Sequence, residues 1–145
     1  MLRLELVTPS GALADTSVDE LRLPGTLGEL GVLPGHRPLL AALRSGVLAW
    51  RCGSQETTLA IGPGFAKVGA LDSVLVVTER ALRADQIDLD AARRALAASQ
   101  TALQQWSAPL TNADDTPDPQ YAALLDALRW AEAQIGAAAS ATGPR

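Results

Sequence analysis

Ser73-Val74-Leu75-Val76-Val77-Thr78 is a run of apolar and β-branched residues, and soon after it Leu89, Ala92, Leu96, Ser99, Leu103 and Trp106 recur at intervals of three and four. The first pattern is strand chemistry, because β-branched side chains fit a pleated surface. The second is one seam of a helix about five turns long, with Asp88 placed as its N-cap. Composition turns over between the two, near residue 80. All eight valines lie between Val7 and Val77, and ten of the twelve glycines precede residue 81. Of the 27 alanines, 19 lie from Ala81 onward. Ala is the best helix former, whereas glycines punctuate strands. The chain therefore reads as a β half, residues 1–82, and an α half, residues 83–145, whose helices fall within about 87–138.

Towards the N-terminus, Leu2-Arg3-Leu4-Glu5-Leu6 alternates with period two, as a half-buried strand does. Further strands are expected at Val18–Leu23, Val47–Arg51, Thr57–Ile61, Phe65–Val68 and Ser73–Thr78. Between them stand Thr8-Pro9-Ser10-Gly11, Pro24-Gly25, Pro34-Gly35, Ser45-Gly46, Gly53-Ser54 and Gly62-Pro63-Gly64. Short strands with turn signals at this spacing, and no long helices between them, predict an antiparallel β-sandwich or flattened barrel rather than a doubly wound sheet. Towards the C-terminus, Ser107 to Pro119 holds three prolines, an Asn and three Asp and reads as a loop. Leu124, Leu125, Leu128, Ala131 and Ile135 then form the stripe of a second helix. The expected fold is an N-terminal β-sandwich followed by an antiparallel two-helix hairpin. Residues 137–145 are small and polar and are expected to fray. The seam between the helices is poor in apolar area, since Ala92, Ser99 and Ala131 replace Leu or Ile. Two readings stay open: a hairpin that separates at modest cost, or an Ala-rich surface that packs closely on the sandwich.

Charge and rare residues narrow the chemistry. Lys and Arg number 12 against 16 Asp and Glu, a net charge of −4 over 145 residues. A non-specific nucleic-acid binder needs a basic face, so that class is excluded. One Cys, Cys52, rules out an internal disulfide and a Cys-cluster zinc site. One His, His36, argues against the common metal sites and a His-paired catalytic dyad. The N-terminus resembles no signal or transit peptide, and no apolar run approaches the ~18 residues of a membrane span. The expectation is a soluble, acidic, intracellular protein.

No catalytic constellation emerges. There is no G-x-S-x-G elbow, P-loop or Rossmann fingerprint, and Gly25, Gly28 and Gly31 have the wrong spacing for one. Asp114 and Asp115 read as solvated turn residues. What stands out is Gly28-Glu29-Leu30-Gly31-Val32-Leu33-Pro34-Gly35-His36-Arg37-Pro38-Leu39-Leu40, where glycines and prolines specify the backbone strongly. A shaped loop carrying Glu29, His36 and Arg37 on a β scaffold suits recognition of another protein.

That segment, with Leu43-Arg44-Ser45-Gly46-Val47-Leu48 after it, closely resembles the epsilon subunit of bacterial F-type ATP synthase. Val7-Thr8-Pro9 and Gly62-Pro63-Gly64-Phe65-Ala66-Lys67-Val68 extend the resemblance over most of the chain. It implies a non-catalytic central-stalk subunit that couples proton or sodium flow through the c-ring to ATP synthesis. Its partners would be the gamma subunit and the c-ring, with Glu29 facing the c-ring and His36 near gamma. The location implied is peripheral, on the cytoplasmic face of the bacterial inner membrane. The helical hairpin of such a subunit can extend towards the alpha/beta catalytic head and inhibit hydrolysis. Some members bind ATP through an Ile/Leu-Asp-x-x-Arg-Ala pattern, and the resemblance implies at most weak ATP binding here. Leu89-Asp90-Ala91-Ala92-Arg93 matches it up to Arg94, which stands where the pattern has Ala, and Glu79 and Arg129 would complete such a site. No metal and no tightly held cofactor is implied. A nucleotide-sensing module acting through the hairpin is the alternative, and an adaptor unrelated to the motor fits composition equally well. Positive charge on the second helix is sparse, Arg129 standing between Asp126 and Glu132, which argues for weak inhibition.

Overall fold

A computed structural model describes residues 1–142. Ten strands come first: β1 (Leu2–Thr8), β2 (Gly11–Val18), β3 (Glu20–Gly25), β4 (Gly28–Val32), β5 (Leu39–Leu43), β6 (Gly46–Cys52), β7 (Gln55–Ile61), β8 (Gly64–Val68), β9 (Ser73–Thr78) and β10 (Ala81–Arg83). A 3₁₀ turn at Ala84–Gln86 leads to α1 (Leu89–Gln104) and α2 (Pro119–Thr142). The strands form one sheet in the order β10-β7-β6-β3-β5-β8-β9-β1-β2, with β4 paired to β3. Only a single residue pair, Gly25 with Leu43, joins β3 to β5. At that corner the sheet folds over, and its two halves close on one core.

Every pairing is antiparallel except β1 with β9, where Arg3 to Val7 run beside Ser73 to Val77. Period two then does the rest. Leu2, Leu4 and Leu6 of β1, Leu21 and Leu23 of β3, and Val74 and Val76 of β9 all point inward and are almost completely buried. They meet Leu48, Leu59, Ile61, Ala66 and Val68 from the other strands. The core lies wholly within the β half.

Several boundaries differ from those expected. The expected strand Val18–Leu23 is broken at Asp19, whose carboxylate accepts from the Gly53 amide at 2.6 Å and so belongs to a turn. The segment Gly28–Leu40 is less of a loop than its glycines suggest: β4 lies at its start and β5 opens at Leu39. Gly28, with φ of +132°, lets β4 fold back on β3, Gly25 opposite Gly28. In the α half, α1 ends at Gln104, two residues short of the expected seam's end at Trp106. Trp106 lies beyond the cap and packs against Tyr121 with ring centroids 5.7 Å apart. Pro119, expected in the loop, is the first residue of α2, where its missing N–H costs nothing. Ala137, expected to fray, is completely buried, because α2 continues to Thr142 across the sheet. The expectation for residues 143–145 lies outside the described residues.

Close backbone approach makes one glycine irreplaceable. A Cβ at Gly64 would collide with the Val77 carbonyl oxygen and the Thr78 Cα, whereas one at Gly31 would meet nothing within 4 Å. Gly64→Ala is therefore expected to cost ~3 kcal/mol or more, and Gly31→Ala to stay within about 0.5 kcal/mol of the parent, in urea unfolding followed by circular dichroism. Equal midpoints for the two variants would contradict this account.

Candidate functional site

Two surfaces concentrate the chemically active side chains. The first is the Gly28–Leu40 segment. Glu29 is exposed on β4 opposite Pro24, beside the tight β3–β4 turn. His36 lies past the far end of the same strand, half-buried, with Nδ1 2.7 Å from the Arg37 carbonyl oxygen and its amide donating to Leu33. Arg37 is exposed. Glu29 and His36 thus lie towards opposite ends of β4, and the structure does not gather the two into one cluster. The turn at His36 is held by the β8–β9 turn: the Gly35 amide donates to the Asp72 carboxylate at 2.7 Å. Gly35 takes a φ of +87°, and Leu71 and Asp72 take 58° and 57°, so both turns adopt left-handed backbone. Apolar side chains stand in solvent along and beside this segment, Leu27 at the β3–β4 turn and Leu33 and Leu40 nearer His36. Leu27 is 103% exposed, Leu40 69%, Leu33 55% and Phe65 42%. Since Ala42 pairs with Phe65 and Leu40 with Lys67, this apolar surface spreads from β5 onto β8.

The second surface is where α2 lies across β6 and β7. Ala133 and Ala137 pack on Ala60, flanked by Val47, Ile87 and Trp130. The Ala-rich face of α2 packs closely on the sandwich. Small side chains let the helix backbone approach until Thr58 Oγ1 donates to the Ala137 carbonyl oxygen at 3.2 Å. About three turns earlier on the helix, Asp126 accepts from Ser45 Oγ at 2.6 Å and from Arg80 Nη2 at 2.9 Å. The Arg80 guanidinium also lies 4.4 Å from the centroid of the Trp130 ring, in cation–π contact.

The residues proposed for nucleotide binding flank this second surface. Glu79, exposed, adjoins Arg80, and half-buried Arg129 adjoins Trp130. Asp90 and Arg93 stand in the first turns of α1, exposed, 4.0 Å apart as an i,i+3 pair. That pairing along one helix is the arrangement simple surface stabilisation produces. Asp88 caps α1, accepting from the Ala91 amide at 3.0 Å. Sequence reasoning missed Ser45, Arg80, Asp126 and Trp130, because no periodicity marks an interhelix or helix–sheet polar contact.

The connection between the helices is a small ordered hairpin, with Thr111 bridged to Pro117. Asp114, expected as a solvated turn residue, is exposed and organises the turn: its carboxylate accepts from Thr116 Oγ1 at 2.6 Å and from the Thr116 amide at 3.2 Å. The Thr116 hydroxyl above all, and then the amide, hold the Asp114 carboxyl below the usual aspartate range. Asp118 caps α2, accepting from the amides of Gln120 and Tyr121. Among the described residues no cluster of His, Cys, Asp and Glu could hold a metal ion, and no helix is long and apolar enough to cross a membrane.

Residues 1–84 match the family model for the ATP synthase Delta/Epsilon chain, beta-sandwich domain. ATP synthase epsilon chain 2 of Syntrophotalea carbinolica is 42% identical over 127 residues, covering 88% of each chain. The chain belongs to the ATP synthase epsilon family. The Geobacter metallireducens epsilon chain is 41% identical over 127 residues, again with 88% of each chain covered. In fold, a chain of the Euglena gracilis mitochondrial ATP synthase OSCP/F1/c-ring structure matches with a TM-score of 0.75 at 24% identity, covering 95% of this chain and 81% of that one. This epsilon chain is accordingly a non-catalytic central-stalk subunit of an F-type ATP synthase. Its two surfaces of interest are the exposed apolar face of the sandwich and the seat of its helical hairpin.

Two outcomes test the local chemistry of the hairpin. Asp118→Ala is expected to lower stability by ~1 kcal/mol in urea unfolding, the usual cost of a lost N-cap. Because the Asp114 carboxyl is held low in the folded chain, the order it gives the connection is present above the ordinary aspartate pKa and is lost as pH falls through the lower folded value. An NMR titration should show Asp114 protonating below the ordinary range, and Thr116→Val should move it back up.

Proposed function

We propose that this epsilon chain transmits rotation by clamping the gamma subunit to the c-ring through its sandwich, on the cytoplasmic face of the bacterial inner membrane. The observation that carries the reading is the surface of residues 27–40 and Phe65. Leucines and a phenylalanine in solvent, on a scaffold whose own core is complete, fit a protein partner rather than a small molecule. Residues 1–82 act as the rotor-binding unit and residues 83–145 as the regulatory hairpin. Glu29, beside the β3–β4 turn, faces the c-ring. His36 and Arg37, beyond the far end of β4, serve the gamma interface, where a half-buried imidazole fixed by the Arg37 carbonyl oxygen offers a defined polar contact. Ion flow through the c-ring is thereby coupled to ATP synthesis in the head without chemistry in this chain.

The hairpin carries little with which to grip an acidic surface. Between Pro119 and Thr142, Arg129 is the one basic residue, and Asp126 and Glu132 oppose it. A single exposed ion pair contributes ~0–1 kcal/mol. The hairpin therefore inhibits hydrolysis only weakly.

Co-purification with the host's gamma subunit tests the docking reading. A one-to-one complex is expected, weakened about tenfold by His36→Ala as for a residue at an interface centre. Glu29→Ala should leave gamma binding intact and reduce only assembly onto the c-ring. Failure of the unaltered chain to bind full-length gamma would sink the proposal. In the assembled enzyme, removing residues 84–145 is expected to raise ATP hydrolysis by less than about fivefold; a larger rise would overturn the weak-inhibition reading.

A further inference from the structure

The hairpin and the sandwich do not share a core. Fifteen buried side chains fill the sandwich, and none comes from either helix. The helices meet the sheet through a separate cluster whose fully buried members are three alanines, Ala60, Ala133 and Ala137. Apolar burial scales with area, so an alanine contact holds a helix far less firmly than the leucine-lined core holds its strands. Polar contacts add to the packing of the partly buried Val47, Ile87 and Trp130 on that cluster.

Asp126 is where they do so. It is the point on α2 at which two different turns of the sandwich converge: Ser45 from the β5–β6 turn and Arg80 from the β9–β10 turn. Both donors are held in place by the sandwich itself. Ser45 is 3% exposed. The Arg80 carbonyl oxygen accepts from the Gly62 amide at 2.9 Å and from Thr78 Oγ1 at 3.1 Å, which fixes its backbone. Its side chain lies against Gly62, where an added Cβ would come within 2.8 Å of Arg80 Cγ, and under Trp130 on the other side. The guanidinium is thus pre-positioned for one carboxylate.

The contact is also incomplete. Arg80 Nε is buried and has no hydrogen-bond partner among the described residues. A buried donor left unsatisfied costs free energy that offsets part of the ion pair. The ionic side chains remain 38% and 34% exposed, so salt reaches them. A fixed socket, a single carboxylate and an orphaned donor together make an attachment that is specific in geometry and small in net strength.

We propose that Ser45, Arg80 and Trp130 form a clasp for Asp126 that sets whether the hairpin is seated on the sandwich, and that loss of the Arg80–Asp126 pair releases the hairpin as a unit while the sandwich stays folded. Arg80 is a positioning residue here. The inference concerns the isolated chain and stands or falls independently of gamma binding and of inhibition.

Hydrogen–deuterium exchange on the full chain tests it. In Asp126→Asn, which keeps an acceptor for Ser45 but removes the charge, amides of α2 are expected to exchange about tenfold faster, with β1 and β9 unchanged. Arg80→Ala with Asp126→Asn should add little to either change alone, because the two act as one pair. Raising NaCl from about 50 to about 500 mM should speed α2 exchange in the parent chain but not in Asp126→Asn, a response that loss of packing would not give. Unchanged α2 protection in Asp126→Asn would overturn the clasp. So would loss of β1 and β9 protection in step with α2, since hairpin and sandwich would then be one cooperative unit.

Discussion

The burial of Leu2, Leu4 and Leu6 along β1 is the constraint from which the molecule is built. β1 lies between β2 and β9, and its pairing with β9 is parallel while its pairing with β2 is antiparallel. A strand that reaches the core with every second residue cannot slip by one position without turning three leucines outward. That register also sets where the ends of the sheet fall. Arg3 donates its amide to the Asp72 carbonyl oxygen, and Asp72 in turn accepts from Gly35. The turn that carries His36 is therefore tied, through two short bonds, to the first strand of the chain. The turn gains definition in this way, because the scaffold that orders it is the closely packed core of the sandwich.

The helical hairpin obeys different physics. Leucine dominates the sandwich core, whereas alanine dominates the contact between α2 and β7. Small residues allow close approach, and close approach brings in polar bonds such as Thr58 to Ala137 and Ser45 to Asp126. The result is a helix pair with fixed geometry and modest apolar burial. Units of this kind open before the core they rest on. The sandwich and the helices of this epsilon chain are thus held by packing of different kinds.

The loop between the helices shows how local chemistry settles what composition leaves vague. A stretch with three prolines and three aspartates reads as a loop, and composition says no more of its shape. It is a compact turn, because Asp114 and Asp118 spend their carboxylates on neighbouring backbone amides and Pro119 starts the next helix. The same side chains that would be solvated in an open loop become its internal bonds.

Sequence alone determined six of the ten strands, the change of architecture near residue 80, the alternation along β1, the two helices and the distinctive segment from Gly28 to Leu40, but not β2, β4, β5 or β10. These are short-range properties: period two, period three to four, turn residues and caps all act within a few positions of each other. The breaks at Asp19 and Trp106 and the strand within the Gly28–Leu40 segment were illegible, because they depend on partners such as Gly53 and Tyr121 far along the chain. The clasp was illegible for the same reason. Asp126 meets Arg80 across 46 positions and Ser45 across 81, and no local pattern encodes such a meeting. Only the closed sheet brings those two turns to one place, and only the alanines of α2 let its carboxylate reach them.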